Sequence, residues 1–134
     1  MIKTISHITI TVRNVERTGK FLQTVFDAKE VYDSSEKKIS LSYEKFFVIG
    51  DIWIAVMEGE PLQKRSYNHV AFKVSDSEFD EYVSKIKNLD LDIKPDRNRM
   101  SKEARSIYFY DYDNHLFELH TGTLDERLLQ YSKT

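Results

Sequence analysis

Along Ile5–Val12, apolar Ile8, Ile10 and Val12 alternate with His7, Thr9 and Thr11, the period-two pattern of a strand with one buried face. Asn14 then stands as the cap of a helix of about a dozen residues, with Phe21, Leu22, Val25 and Phe26 at helical spacing. Short β-type runs follow at Glu30–Tyr32, Lys38–Ser42, Phe46–Ile49 and Ile52–Met57, the last two joined by a tight turn at Gly50-Asp51. Gly59, Glu60 and Pro61 end this unit and open a linker. The same order then returns. Asn68–Val74 is a strand, and Asp76 or Ser77 caps a helix carrying Phe79, Tyr82, Val83 and Ile86 on its apolar side. Ile93–Lys94, Ser106–Tyr110 and Leu116–Thr121 are strand candidates, and Pro95–Ala104, basic and poor in apolar residues, reads as a loop. Asp111–His115 (DYDNH) is turn-rich, and a short amphipathic helix, Leu124–Tyr131, closes the pattern.

The repetition is visible in the residues themselves. Ser6–Val12 (SHITITV) recurs in pattern as Asn68–Val74 (NHVAFKV), which makes the chain two copies of one βαβββ unit and its class α+β. His7 and His69 fall at equivalent points. Aligning the late strands on Gly59 (IAVMEG) and Gly122 (FELHTG) sets Glu118 against Ala55. A pseudo-two-fold site then has four positions, His7, Ala55, His69 and Glu118, of which three carry metal-ligating side chains. Glu118 shares a strand face with Leu116 and His120, away from Phe117 and Leu119. A single histidine at a strand start is ordinarily structural, and a single glutamate ordinarily makes a surface salt bridge. Two histidines repeated with the duplication, plus a glutamate at the matching position, favour a metal centre. Two imidazoles and one carboxylate with open positions describe a catalytic rather than a sealed site, and such donors accept manganese, iron, nickel or zinc.

Composition narrows the setting. At 134 residues the chain is expected to form one domain, and 40% hydrophobic with 31% charged residues fits an ordinary soluble protein. Lys plus Arg number 20 against 22 Asp plus Glu, so there is no electrostatic footprint for nucleic acid. The absence of cysteine excludes disulfides and thiolate chemistry from the protein's own side chains. The longest apolar run, Ile52–Met57, is too short to cross a bilayer, and no signal peptide is read at the amino terminus. A cytoplasmic enzyme or binding domain, with no nucleic-acid or membrane partner, is expected.

Four stretches carry a family resemblance: SHITITV, LSYEKFFVIGDIWIAVMEGE, RSYNHVAFKV and RSIYFYDYDNHLFELHTGTLDERL. They resemble the vicinal oxygen chelate (glyoxalase and bleomycin resistance) superfamily and, within it, the fosfomycin-resistance enzymes of the FosX type, which are metal-dependent fosfomycin hydrolases. The resemblance implies one vicinal oxygen chelate domain over residues 1–134. Module one spans about 1–60, module two about 66–122 and a C-terminal helix about 123–132, the modules forming cupped mixed sheets. It implies a module-paired homodimer, with His7 from one chain and His69 and Glu118 from its partner holding Mn²⁺. It makes Glu44 the general base that activates water, and assigns Thr9, Ser106, Tyr108 and Arg127 to the phosphonate. Tyr67, Trp53 and Arg99 are further substrate-site candidates, and Arg105 is another source of positive charge. His115 and His120 read as structural, His120 as an outer partner of the metal. The activity implied is addition of water to the oxirane ring of fosfomycin to give a vicinal diol. The alternatives are a transferase using glutathione or bacillithiol, a hydrolase for another small epoxide or phosphonate, and a metal-free drug-binding protein. One segment departs from the family pattern: Lys102-Glu103-Ala104-Arg105-Ser106 stands where relatives carry Gly-Glu-Gly-Arg-Ser.

Overall fold

The computed structural model describes residues 1–35, 42–95 and 104–133. Contacts divide the chain into two units, Met1–Arg65 with Asp111–His115, and Ser66–Tyr110 with Leu116–Thr134. Each holds one four-stranded mixed sheet, so the chain is α+β with the expected duplicated strand–helix–strands order.

In the first unit, β1 (His7–Val12) leads into α1 (Val15–Phe26), followed by β2 (Lys29–Asp33), β3 (Glu44–Ile49) and β4 (Ile52–Glu58). Asn14 starts the helix by accepting the Arg17 N–H at 3.0 Å, and Asp27 ends it in the left-handed conformation at φ 54°. The sheet order is β1-β4-β3-β2, with β1 parallel to β4 and the remaining pairs antiparallel. One face is packed by α1, which buries Phe21, Leu22 and Val25, each contributing about 1.5–3 kcal/mol of burial. Gly19 sits where a Cβ would stand 2.9 Å from Phe47 Cζ, so the helix approaches β3 closely because that side chain is missing. The other face carries three cross-strand rows: His7–Trp53–Val48, Thr9–Ala55–Phe46 and Thr11–Met57–Glu44. The expected strand at Lys38–Ser42 falls mostly outside the described residues, and Ser42 itself lies in a bend.

The Asp111–His115 turn belongs to this unit. Asp111 Oδ1 accepts the N–H groups of Asp113 and His115, and Asp111 Oδ2 lies 2.8 Å from His115 Nδ1. Asp113 is fully buried and accepts from the Arg13 backbone N–H and Nε. His115 is therefore structural, as the sequence reading has it.

The second unit repeats the scheme with β5 (His69–Lys73), a 3-10 turn at Asp76–Glu78, α2 (Phe79–Asn88), β6 (Ile93–Lys94), β7 (Ser106–Tyr110), β8 (Leu116–His120) and α3 (Leu124–Ser132). Its order is β5-β8-β7-β6, with β5 parallel to β8. The helix begins later than a cap at Asp76 or Ser77 would place it. Asp76 gives its carboxylate to Arg105 Nε at 2.9 Å, and Ser75 Oγ donates to Glu78 Oε1, so the tight turn occupies the predicted first helical residues. Phe79 and Ile86 are the buried residues of α2, and Phe72, Ile107, Phe109, Phe117 and Leu119 are buried on one face of the sheet. Thr123 caps α3 by accepting the Glu126 N–H, and α3 leaves Leu124, Leu128, Leu129 and Tyr131 exposed. Among the described residues, no helix is long and apolar enough to cross a membrane.

Candidate metal and substrate site

The face of the second sheet opposite its apolar side also has three rows: His69–Leu116–Tyr110, Ala71–Glu118–Tyr108–Lys94 and Lys73–His120–Ser106. Glu118 thus occupies the row that Ala55 occupies in the first unit, the correspondence that aligning Gly59 with Gly122 predicts. A pocket of about 310 Å³ opens here, lined by His69, Ala71, Glu118, His120, Thr123 and Arg127 among others.

The sequence-predicted ligands His69 and Glu118 meet in this pocket, Nε2 to Oε1 at 3.0 Å. His69 Nδ1 lies 2.7 Å from the Tyr67 carbonyl oxygen, which only accepts, so the ring proton resides on Nδ1. In the neutral ring Nε2 then presents a lone pair to a carboxylate oxygen. Two lone-pair donors at that separation need a cation between them, a proton or a metal ion. Two cis ligands with bonds of about 2.1 Å stand about 3.0 Å apart, so the pair fits a divalent ion. Glu118 is 4% exposed, and its Oε2 accepts from Ser106 Oγ at 2.6 Å, which fixes the carboxylate and leaves Oε1 toward His69. The tyrosine rings of Tyr67 and Tyr108 stand edge-on to the His69 ring at 4.9 and 5.3 Å, with their hydroxyls 3.2 Å apart.

His7 lies on the first sheet, its ring 4.1 Å from Trp53 and its Nδ1 2.9 Å from Ser6 Oγ. Among the described residues, no three His, Asp or Glu side chains of the single chain gather as a metal-binding group. Thr9 shares the open face of β1 with His7 and is exposed. Trp53 packs edge-on against Phe46 at 5.1 Å, and its indole N–H is buried without a hydrogen-bond partner among the described residues. Glu44 begins β3 in the row of Thr11 and Met57, half-buried, with its N–H donated to Ser34 Oγ at 2.9 Å.

The neighbours of Glu44 are held on the opposite side. Buried Lys45 reaches Glu30 at 2.7 Å, Glu16 at 3.1 Å and Asp33 at 3.9 Å. Burial works against its charge, but hydrogen bonds to Glu30 and Glu16 prevail and keep its pKa above the ordinary lysine value. Burial and a hydrogen bond to Glu16 likewise push the Tyr43 hydroxyl above its usual range. Tyr43 and Lys45 therefore clamp the backbone on both sides of Glu44.

Arg127, on α3, faces the same pocket as His69 and Glu118, with Nη2 3.4 Å from His120 Nε2. Ser106, read from sequence as a phosphonate contact, commits its hydroxyl to Glu118 and His120. Arg105 is not available as a substrate cation: it binds Asp76 and Asp80 and lies over the Phe79 ring at 4.5 Å. Arg99 lies outside the described residues, as do Lys102 and Glu103. Ala104 is described and has no positive φ, so alanine in place of glycine costs no backbone strain there. Lys94 is a candidate that the sequence reading does not offer. Its two-residue strand places it in the row of Glu118 and Tyr108, with Nζ 5.3 Å from the Tyr67 ring centroid. The sequence signal was weak because so short a strand has no periodicity.

Comparison with known proteins agrees with this geometry. The family model of the Glyoxalase/Bleomycin resistance protein/Dioxygenase superfamily matches residues 4–119. Fosfomycin resistance protein FosX of Listeria innocua is 56% identical over 133 residues, covering 99% of this chain and 100% of that protein. FosX of Mesorhizobium japonicum is 57% identical over 133 residues, covering 99% and 96%. Among solved structures, a glutamate-to-glutamine variant of Listeria monocytogenes FosX, complexed with Mn(II) and 1S,2S-dihydroxypropylphosphonic acid, superposes with a TM-score of 0.88 at 52% identity, covering 98% of this chain and 99% of that one. With full-length identity above half and the same fold, the chain belongs to the FosX fosfomycin-resistance proteins of the glyoxalase/bleomycin resistance superfamily.

Proposed function

We propose that this protein is a Mn²⁺-dependent epoxide hydrolase that inactivates fosfomycin, adding water to its oxirane to give the vicinal diol. The carrying observation is the 3.0 Å contact between His69 Nε2 and Glu118 Oε1 in the pocket that Arg127 also lines. The FosX variant complex supports the reaction type: 1S,2S-dihydroxypropylphosphonic acid is what hydration of an epoxypropylphosphonate yields.

His69 and Glu118, with His7 supplied by a second copy of the chain, hold the ion, which when bound supplies Lewis acidity at the epoxide oxygen. The active species is accordingly a homodimer with shared sites, working in the cytoplasm. Arg127 receives the phosphonate through charge-assisted hydrogen bonds, and Lys94, on the row of Glu118, adds a second positive charge. Tyr67, Tyr108 and Thr9 offer hydroxyls to the phosphonate oxygens, and Trp53 gives the propyl carbons an apolar wall. Glu44 accepts a proton from the attacking water, whose oxygen bonds to an oxirane carbon as the C–O bond breaks and its electron pair stays on the departing oxygen. That oxygen takes up a proton to complete the diol. The clamp of Tyr43 and Lys45 holds Glu44 in place for this step.

The test is phosphorus NMR of fosfomycin with purified protein and Mn(II), with and without added thiol. Diol formation in the thiol-free sample is expected. Turnover confined to samples with glutathione or bacillithiol would make the protein a transferase, and silence in both would rule out fosfomycin as its substrate.

A further inference from the structure

We infer that His120 is a positioning residue that joins the substrate-binding Arg127 to the metal ligand Glu118 through Ser106. The inference rests on the metal-centre reading above. Each donor in the chain follows from chemistry. An ionised carboxylate only accepts, so Ser106 donates its hydroxyl proton to Glu118 Oε2 at 2.6 Å. The Ser106 oxygen must then accept from His120 Nδ1, also at 2.6 Å, which places the ring proton on Nδ1. The remaining nitrogen, Nε2, presents a lone pair to the Arg127 guanidinium at 3.4 Å. His120 Nδ1 also lies 3.5 Å from Glu118 Oε2, farther than from the Ser106 hydroxyl, so the hydrogen-bonded chain runs from Arg127 through His120 and Ser106 to Glu118.

A second observation concerns the space beside this ring. Gly122 follows β8 where a Cβ would stand 2.7 Å from His120 Nε2 and 2.9 Å from the Ala104 Cβ. Any side chain there would displace the imidazole. His120 also lies in one cross-strand row with Ser106, so their contact is fixed by strand register rather than by a mobile loop. Two properties follow. His120 locks the Ser106 hydroxyl so that Glu118 Oε1 stays directed at His69, and it orients Arg127 within the pocket.

The two ends are separable by substitution. Asparagine mimics the Nδ1 donor of histidine but does not reach Arg127, whereas glutamine mimics the Nε2 acceptor but not the donor to Ser106. The experiment measures Mn(II) affinity by electron paramagnetic resonance of the free ion, without substrate, and KM for fosfomycin, for wild type, His120→Leu, His120→Asn and His120→Gln. His120→Leu is expected to weaken Mn(II) binding by about ten- to a hundredfold and to raise KM. His120→Asn is expected to restore Mn(II) affinity but not KM, and His120→Gln the reverse. Unchanged Mn(II) affinity and KM in a folded His120→Leu protein overturn the inference. Should that variant not fold, equal Mn(II) affinity in the asparagine and glutamine variants overturns it. Wild type that binds no Mn(II) overturns the metal-centre reading itself, a result distinct from either.

Discussion

Replacing Glu44 with glutamine separates chemistry from stability. The side chain is half-buried at the start of β3 and makes no hydrogen bond or ion pair among the described residues, while its backbone N–H is held by Ser34. Glutamine has the same shape, leaves the Lys45 cluster on the other face intact and removes no internal contact. The folding free energy is therefore expected to change by less than about 0.5 kcal/mol, as for a substitution that touches no packed or paired group. A positioned general base contributes about 10²–10⁴ in rate, equivalent to about 3–5 kcal/mol of barrier. Thiol-free hydration followed by phosphorus NMR should thus slow by at least a hundredfold, with melting temperature and Mn(II) affinity unchanged. A Glu44→Gln protein that hydrates fosfomycin within threefold of the wild-type rate would refute the assignment of the base. Equal loss of Mn(II) affinity and rate would make Glu44 a contributor to the metal site instead.

Lys45→Met keeps the buried stem but leaves Glu16 and Glu30 without their cation. Because both carboxylates are partly exposed, the loss should be about 1–3 kcal/mol, less than for a fully buried pair, read as a melting temperature lower by several degrees; an unchanged melting temperature would dismiss the clamp. Gly19→Ala gains about 1 kcal/mol of helix propensity but forces a Cβ against the fully buried Phe47 ring, a cost of about 1–3 kcal/mol, so net destabilisation is expected and a raised melting temperature would contradict the close-packing argument. Acid should weaken the fold through two carboxylates. Glu16 sits below its ordinary value of 4.5 because Tyr43 and Lys45 hydrogen-bond to it, and Asp33 sits below 3.8 chiefly because the Ser35 N–H does. A depressed folded pKa adds stability above the ordinary value that is lost as pH falls through the folded one. Melting temperature should therefore decline below about pH 4.5, and less steeply in Glu16→Gln; parallel curves would exclude Glu16 as a source.

Much of this was legible because a strand's side chains alternate. Parity alone put His7, Thr9 and Thr11 together, and parity plus the duplication set Glu118 against Ala55, which the strand registers reproduce. Lys45 was not legible: it shares parity with Phe47 and Ile49, but a lysine beside a glutamate reads as solvated until its three carboxylates are seen converging from α1 and β2. Lys94 was not legible, because a two-residue strand has no pattern to read. Nor was the direction of the chain from Arg127 to Glu118. It depends on which atoms the register of β7 and β8 brings within hydrogen-bonding distance, and no local spacing encodes that.

The same third row has been put to different uses in the two halves. In the first unit it reads Thr11–Met57–Glu44, and in the second Lys73–His120–Ser106. Where Met57 stands beside Glu44, a thioether offers the carboxylate no strong donor, which suits the base role proposed for Glu44. Where His120 stands beside Ser106, an imidazole N–H orders the hydroxyl that secures Glu118. A base must take up a proton and a ligand must keep its lone pair fixed on the ion. On the proposed roles, these opposite requirements match a carboxylate next to methionine in one copy and a serine next to histidine in the other.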